Sequence, residues 1–316
     1  MAKKTLDKQA KTYAWPGIQQ HVCLLTLITC IGATALGGAA PLQSSEEAWK
    51  TAVANQNKDY AQVPHAMLKI QDSVYLGDGQ SAVLQGRKGE PGSWRWNRNE
   101  KGQDVLGVSL QGGKLTVTQN GKRIDPGQVA KSIAVDRDVD VAGQPTQVGA
   151  GVNGWRLFVY NQQNPAAKRF TGVSYFPYDS AYRVTARFVP DKQLPPRVFR
   201  TSRGTDKQFF HAGDGLLVLQ GKSVTLPFYT NSNKPGLIAD MSAFFTDNLT
   251  GNGTYGAGRY VDVDHFGKFP PSTIVIDLNQ AYNPNCARSA HFTCPVAVDA
   301  VPLPVRAGER DPHMVH

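Results

Sequence analysis

The chain has 316 residues with a formal net charge of +9, and its Lys and Arg residues are scattered, with no run of five or more and no aromatic-basic repeat. Nucleic-acid binding needs clustered cations, so that class of partner is excluded. Gly (31) and Pro (20) are abundant enough to call for many turns instead of long helices, and nothing in the composition points to disorder.

Residues 1–40 read as a targeting segment. Lys3, Lys4, Lys8 and Lys11 precede the 19 residues Val22 to Ala40, none of them charged. A basic stretch followed by an apolar one is the order that export machinery selects, and Gly38-Ala39-Ala40 before Pro41 suits signal peptidase. Cleavage after Ala40 discards four lysines and one aspartate, taking the charge from +9 to +6. Two alternatives stay open. One is an uncleaved membrane anchor, for which Gly32, Gly37 and Gly38 make a poor helix. The other is a lipoprotein acylated at Cys30. The expected location is therefore periplasmic or secreted, or membrane-anchored facing the periplasm. Membrane contact is expected only through the N-terminal segment, if it is retained or lipidated.

Residues 41–58 are expected to hold the one helix and a linker. Ser44 and Glu47 form a capping box, Ala48, Trp49, Ala52 and Val53 supply an apolar face, and the helix should end near Asn57. Residues 59–312 then read as strands, because apolar and polar residues alternate between recurring turn residues. Lys114 to Ile124 is a hairpin with Asn120-Gly121 as a type I′ turn and Leu115 and Val117 on one face. Tyr182 to Phe188 places Val184, Ala186 and Phe188 inward and Arg183, Thr185 and Arg187 outward. Similar runs are 105–110, 155–160, 216–219, 224–229 and 273–278. The fold class is mainly β: an antiparallel sandwich, barrel-like sheets, or two packed β subdomains. Gly143, Pro145, Gly149, Gly151 and Gly154 mark either a soft boundary within 143–154 or a long hairpin loop.

Most motifs fail on spacing. Gly221-Lys222-Ser223 lacks the Gly and the following helix of a phosphate loop. Asp136, Asp138 and Asp140 begin like a calcium loop, but Val141 and Gln147 stand where Gly and a bidentate Glu are required. His65, His211, His265, His291, His313 and His316 are not spaced to chelate together, so neither a metal nor another cofactor is expected. Cys286 and Cys294, outside the targeting segment, are expected to form a disulfide in an oxidising compartment, worth about 2–3 kcal/mol for so short a loop. A metal or redox pair with His291 between them is the alternative.

The segments Thr254-Tyr-Gly-Ala-Gly-Arg-Tyr260, Ile276-Asp-Leu-Asn-Gln-Ala-Tyr-Asn-Pro284, Cys286, Cys294-Pro295 and Arg306-Ala-Gly-Glu309 occur in fixed order, after Tyr175-Phe-Pro-Tyr-Asp179 and Tyr182 to Phe188. Together they resemble the domain of unknown function 1684 family over roughly residues 45–310. Asn285 departs from that pattern, where a second Pro is usual, and 296–301 is shorter and poorer in Pro. The resemblance implies a shared fold and surface and brings no activity, substrate or cofactor.

Polar residues concentrate beside forced backbone in these segments, which is where sites sit. The candidate ligand-binding residues are Tyr255, Arg259, Asp262, Asp277, Asn279, Tyr282, Asn283 and Glu309, with Arg259 clamping a carboxylate or phosphate. In the structural alternative, Arg259 pairs internally with Asp277 or Glu309. The expected function is an exported, non-catalytic module that binds a small molecule or an envelope component. The alternative is a hydrolase-like enzyme using Asp262, Asp264, His265 or Glu309 for acid-base chemistry.

Overall fold

The computed structural model describes residues 45–98, 105–264 and 266–313. The expected leader, the Ser44 cap, Cys30, His265 and His316 lie outside them. Among the described residues no helix is long and apolar enough to cross a membrane.

Helix α1 spans Ser45–Ala61, one turn longer than its periodicity predicted. Gln62 and Val63 donate to the Lys58 carbonyl and close the last turn, and Pro64 rules out continuation. Nine strands follow: β1 (Ile70–Leu76), β2 (Ser81–Gln85), β3 (Arg95–Arg98), β4 (Leu106–Gln111), β5 (Lys114–Gln119), β6 (Lys122–Ile124), β7 (Ile133–Asp136), β8 (Val139–Gly149) and β9 (Val152–Asn161). They form an antiparallel sheet β1-β9-β8-β7 and a second one β3-β2-β4-β5-β6. Val74, Leu76, Val141 and Leu157 of the first share one core with Leu84, Trp96, Leu106 and Val117 of the second, so the two make a sandwich. Asn120 and Gly121 have φ of 48° and 75°, the type I′ geometry expected of the β5–β6 turn.

The 143–154 stretch is the β8–β9 hairpin. Gly143 and Gly154 serve close packing, since a Cβ on Gly154 would stand 2.2 Å from the Leu76 carbonyl oxygen, while Gly151 makes the turn at φ +69°. The chain instead leaves the sandwich across 162–182, through the short helix α2 (Pro165–Arg169).

A third sheet takes β10 (Arg183–Pro190), β11 (Pro196–Arg200), β12 (Asp206–Leu219), β13 (Lys222–Thr230), β14 (Met241–Asp247), β15 (Arg259–Val263), β16 (Thr273–Asp277) and β17 (Asp299–Val301). Its order is β15-β14-β13-β12-β10-β16, with β11 beside β12 and β17 parallel to β14. The sheet curls into a half-barrel that brings β15 and β16 near each other. Ala186, Phe188, Leu226, Phe228, Phe245, Val261, Ile274 and Ile276 fill its interior. Arg183, Thr185 and Arg187 are exposed and Ala186 and Phe188 buried, as their alternation required. The curl needs the break in β12 between His211 and Gly213: Gly213 has φ +146°, and a Cβ there would lie 2.3 Å from the Val189 carbonyl oxygen.

A smaller core joins α1 to the outer face of β8 and β9 and to the 286–294 loop, through Tyr60, Ala142, Phe158, Tyr160, Phe292 and Cys294. The candidate residues lie around this junction and the neighbouring end of the half-barrel.

Candidate functional site

Seven of the eight candidate residues separate into three groups. Arg259 opens β15 opposite Phe245 and points into the half-barrel, 1% exposed. Its Nη2 pairs with Asp247 Oδ2 at 2.5 Å and donates to the Val305 carbonyl at 2.9 Å, while Nη1 donates to the carbonyls of Ala307 and Glu309. The guanidinium also lies 5.4 Å from the Phe245 ring centroid. Its ionic partner is thus Asp247, and not the Asp277 or Glu309 of the structural alternative. With these acceptors around it, Arg259 pins the 305–309 segment across the end of the barrel and presents no face to solvent.

The second group surrounds Glu309, whose side chain is wholly buried. Gly308, with φ +77°, lets this segment press against residues 278–281: a Cβ there would lie 2.5 Å from the Ala281 carbonyl oxygen. Arg288 Nη1 stands 2.9 Å from Glu309 Oε2, an ion pair whose N–H is not directed along the line to the oxygen. The Asn283 amide donates to the same oxygen at 3.1 Å. Gln56 donates to Oε1 at 3.0 Å, and the hydroxyls of Tyr60 and Tyr175 reach it at 3.4 Å. Burial raises the Glu309 carboxyl, and Arg288 and the Asn283 amide pull it back down. Burial likewise raises both phenols, which stay protonated as donors. Asn279 adjoins this group. Its side chain bridges Asp179 and Asp277, and its carbonyl accepts the Trp49 indole N–H at 2.9 Å. Asp277 also caps the turn at 278–280 and stands 3.7 Å from Arg183. Asn283 donates to the Arg310 carbonyl, while its buried Oδ1 has no protein partner.

The third group is Asp262, Ser242 and Tyr282 on the outer face of β14 and β15. Ser242 donates to Asp262 Oδ1 at 2.6 Å and Tyr282 to Oδ2 at 2.9 Å. Burial pushes the Asp262 carboxyl up to about 6, with Asp240 and Asp264 adding to the rise and the two hydroxyls opposing it.

Tyr255 belongs to none of these and lies against Cys286, its hydroxyl pushed up to about 12 mainly by burial. Cys286 and Cys294 are free thiols side by side, not the bonded pair that the oxidising-compartment reading expects. As site residues, sequence reasoning passed over Gln56, Tyr60, Tyr175 and Arg288, and it took Trp49 only as part of an apolar helix face. Tyr175 alone carried a signal, since it lies in one of the family-like segments. Among the described residues, no three His, Cys, Asp or Glu side chains are arranged to hold a metal ion.

Comparison with known proteins bears on residues 168–310, which match the profile described as "Protein of unknown function (DUF1684)". The chain is also similar to the solution NMR structure of the uncharacterized protein from gene locus rrnAC0354 of Haloarcula marismortui. That match has 27% identity, covers 46% of this chain and 79% of that one, and gives a TM-score of 0.39. A comparison with curated proteins found no match. The profile takes in β10 to β17, Asn279, Arg288 and Glu309, and leaves out α1 and the sandwich. Residues 168–310 of this chain belong to the domain of unknown function 1684 family.

Proposed function

We propose that the chain is an exported, non-catalytic binding module of the cell envelope. Its site is the face of the 168–310 segment that carries Asn279, Arg288 and Glu309, and helix α1 is a replaceable cover over it. The ligand is a neutral small molecule or polymer segment rich in hydroxyl or amide donors.

One observation carries this reading. Trp49, Gln56 and Tyr60 lie on that face as hydrogen-bond donors, and only Tyr60 of the 17 residues in α1 is buried. Beneath them Glu309 is already neutralised by Arg288, so the face asks for donors and not for a cation. Each such hydrogen bond contributes about 0.5–1.5 kcal/mol net, and a ligand offering the same donors exchanges with the helix at little cost. Export rests on the order of basic and apolar residues before Pro41.

The test is a thermal-shift panel of saccharides, polyols and amide-rich peptides on the full chain and on a Trp49→Ala/Gln56→Ala variant. A ligand at about 100 times its dissociation constant adds near 2.7 kcal/mol, which moves the midpoint by degrees. The variant should respond more strongly than the parent, and Glu309→Gln should lose the response. A panel silent on both parent and variant overturns the reading.

The enzyme reading is favoured by Asp262 alone, which is held protonated up to about pH 6 beside a phenol, as a general acid requires.

A further inference from the structure

Cys286 and Cys294 adjoin the proposed site, beside Arg288 and in the core beneath α1, but take no part in it, and they are placed very differently from each other. Cys286 is partly exposed in the turn Asn285–Ala287, whereas Cys294 is 3% exposed in the core between α1, β9 and the 286–294 loop. The Cys286 amide donates to Cys294 Sγ at 3.4 Å, and the two thiols lie within hydrogen-bonding reach of each other. The hydroxyls of Ser202 and Tyr255 also donate toward Cys286. Three donors on one sulfur favour its thiolate, and the Cys286 thiol is drawn down to about 6, first by Cys294. The Cys294 thiol moves in the opposite direction, first because it hydrogen-bonds to Cys286 and then because it is buried. The pair therefore holds one proton between them, and the proton sits on the inner sulfur.

A third group serves the inner thiol. Lys207 is 5% exposed, donates to the Thr293 carbonyl at 2.9 Å and interacts electrostatically with Cys294. Its ammonium favours a negative Cys294 sulfur at the moment that thiol loses its proton. An accessible, activated sulfur in front of a buried one that can follow it is the arrangement of an exchange-active dithiol, whereas a purely structural bridge needs no such asymmetry.

We infer that Cys286 and Cys294 form a thiol–disulfide exchange site, with Cys286 the attacking and Cys294 the resolving sulfur, acting on small-molecule disulfides of the glutathione class. The Cys286 thiolate attacks one sulfur of R–S–S–R, forming a Cys286–S–R bond and releasing R–S⁻, which takes a proton from solvent. Cys294 then gives up its proton and attacks the Cys286 sulfur. That breaks the mixed disulfide and expels the second R–S⁻, which ends with the Cys294 proton. Two electrons pass from the cysteine pair to the small disulfide, leaving a Cys286–Cys294 bond and two R–SH. Tyr255 and Ser202 are positioning residues that hold the attacking thiolate.

The test incubates the full chain, Cys294→Ser and Cys286→Ser with oxidised glutathione at about pH 7. Peptide mapping by mass separates residues 286 and 294 from Cys23 and Cys30. The folded Cys294→Ser variant should hold one glutathione on Cys286, Cys286→Ser should leave Cys294 unmodified, and the parent should proceed to the internal disulfide. No adduct on Cys286 in Cys294→Ser, or no internal disulfide in the parent, overturns the inference. The pH profile of Cys286 alkylation in the parent needs no variant: a midpoint near 6 supports the site, and one near the ordinary thiol value of about 8.5 overturns it. Tyr255→Phe should shift that midpoint upward, which a merely structural tyrosine would not do.

Discussion

Arg259 and Asp247 are each 1% exposed at the side chain, so removing either strands the other's charge in the half-barrel. Breaking a buried pair from one side costs about 3–5 kcal/mol. Asp247→Ala should therefore lower the unfolding free energy by that amount, read as a lower urea midpoint with an unchanged slope. Asp262 acts in the opposite sense. Its folded-state pKa, about 6, lies above the ordinary 3.8, so the fold favours the protonated form. The contribution is fully present below about pH 4 and is lost as pH rises through 6, a difference of roughly 3 kcal/mol. Asp262→Asn should flatten the melting temperature between those pH values and raise it above pH 6 relative to the parent. Sequence alone marked both residues but could not assign their surroundings. The acid that meets Arg259 lies twelve positions earlier across a hairpin, farther from it along the chain than Asp262 or Asp264, and Asp262 and Arg259 point to opposite faces of one strand.

Among the elements, those legible in the sequence have one wet face. The β5–β6 hairpin and β10 alternate because one side meets water, and their inward residues were assigned correctly or nearly so: Ala186 and Phe188 are buried and Val184 half-buried. Strand β14 reads Met-Ser-Ala-Phe-Phe-Thr-Asp, with Met241, Ala243 and Phe245 in the barrel and Phe244 outside among Phe199, Phe209 and Tyr229. Both faces are covered, and period-two patterning disappears. Helix α1 was visible, but not where it lies, because its docking depends on polar tips and not on an apolar stripe. Trp49 gives α1 its indole hydrogen bond and ring contacts to Tyr175 and Tyr178 at 5.9 and 5.7 Å. Losing these costs on the order of 1.5 kcal/mol, so Trp49→Ala should speed amide exchange across residues 45–61 roughly tenfold. The urea midpoint of the whole chain should barely move. Exchange that accelerates equally in β12 and β13 would show α1 to be part of the global fold.

At the scale of the whole molecule, the mainly β class was legible, as antiparallel sheets with one of them curled and a helix at the start. Their division was not, because it depends on pairings between distant strands, such as β1 with β9 and β10 with β16, that no local pattern records. The glycine-rich 143–154 stretch shows the difficulty: glycines that allow close strand packing look the same in sequence as glycines that loosen a linker. Residues Ser44–His316 make one compact unit. Gln147 and Gln208 help to join its two halves, with the Gln147 side chain donating to the Gln208 carbonyl at 2.8 Å and accepting its amide at 2.9 Å.

The hydrogen bond from Gln56 to Glu309 spans 253 positions of sequence and 3.0 Å of space. The first helix and the last pinned segment of the described fold are therefore neighbours, and a Gly/Ser bridge from residue 311, long enough to run back about 16 Å along the helix from Gln56 to Ser45, would close the backbone into a ring. Opened instead at Gly112–Gly113, the exposed tip between β4 and β5, that ring is a circular permutant with every contact retained in a new chain order. In it α1 is tied through the bridge to the 305–309 segment that Arg259 holds.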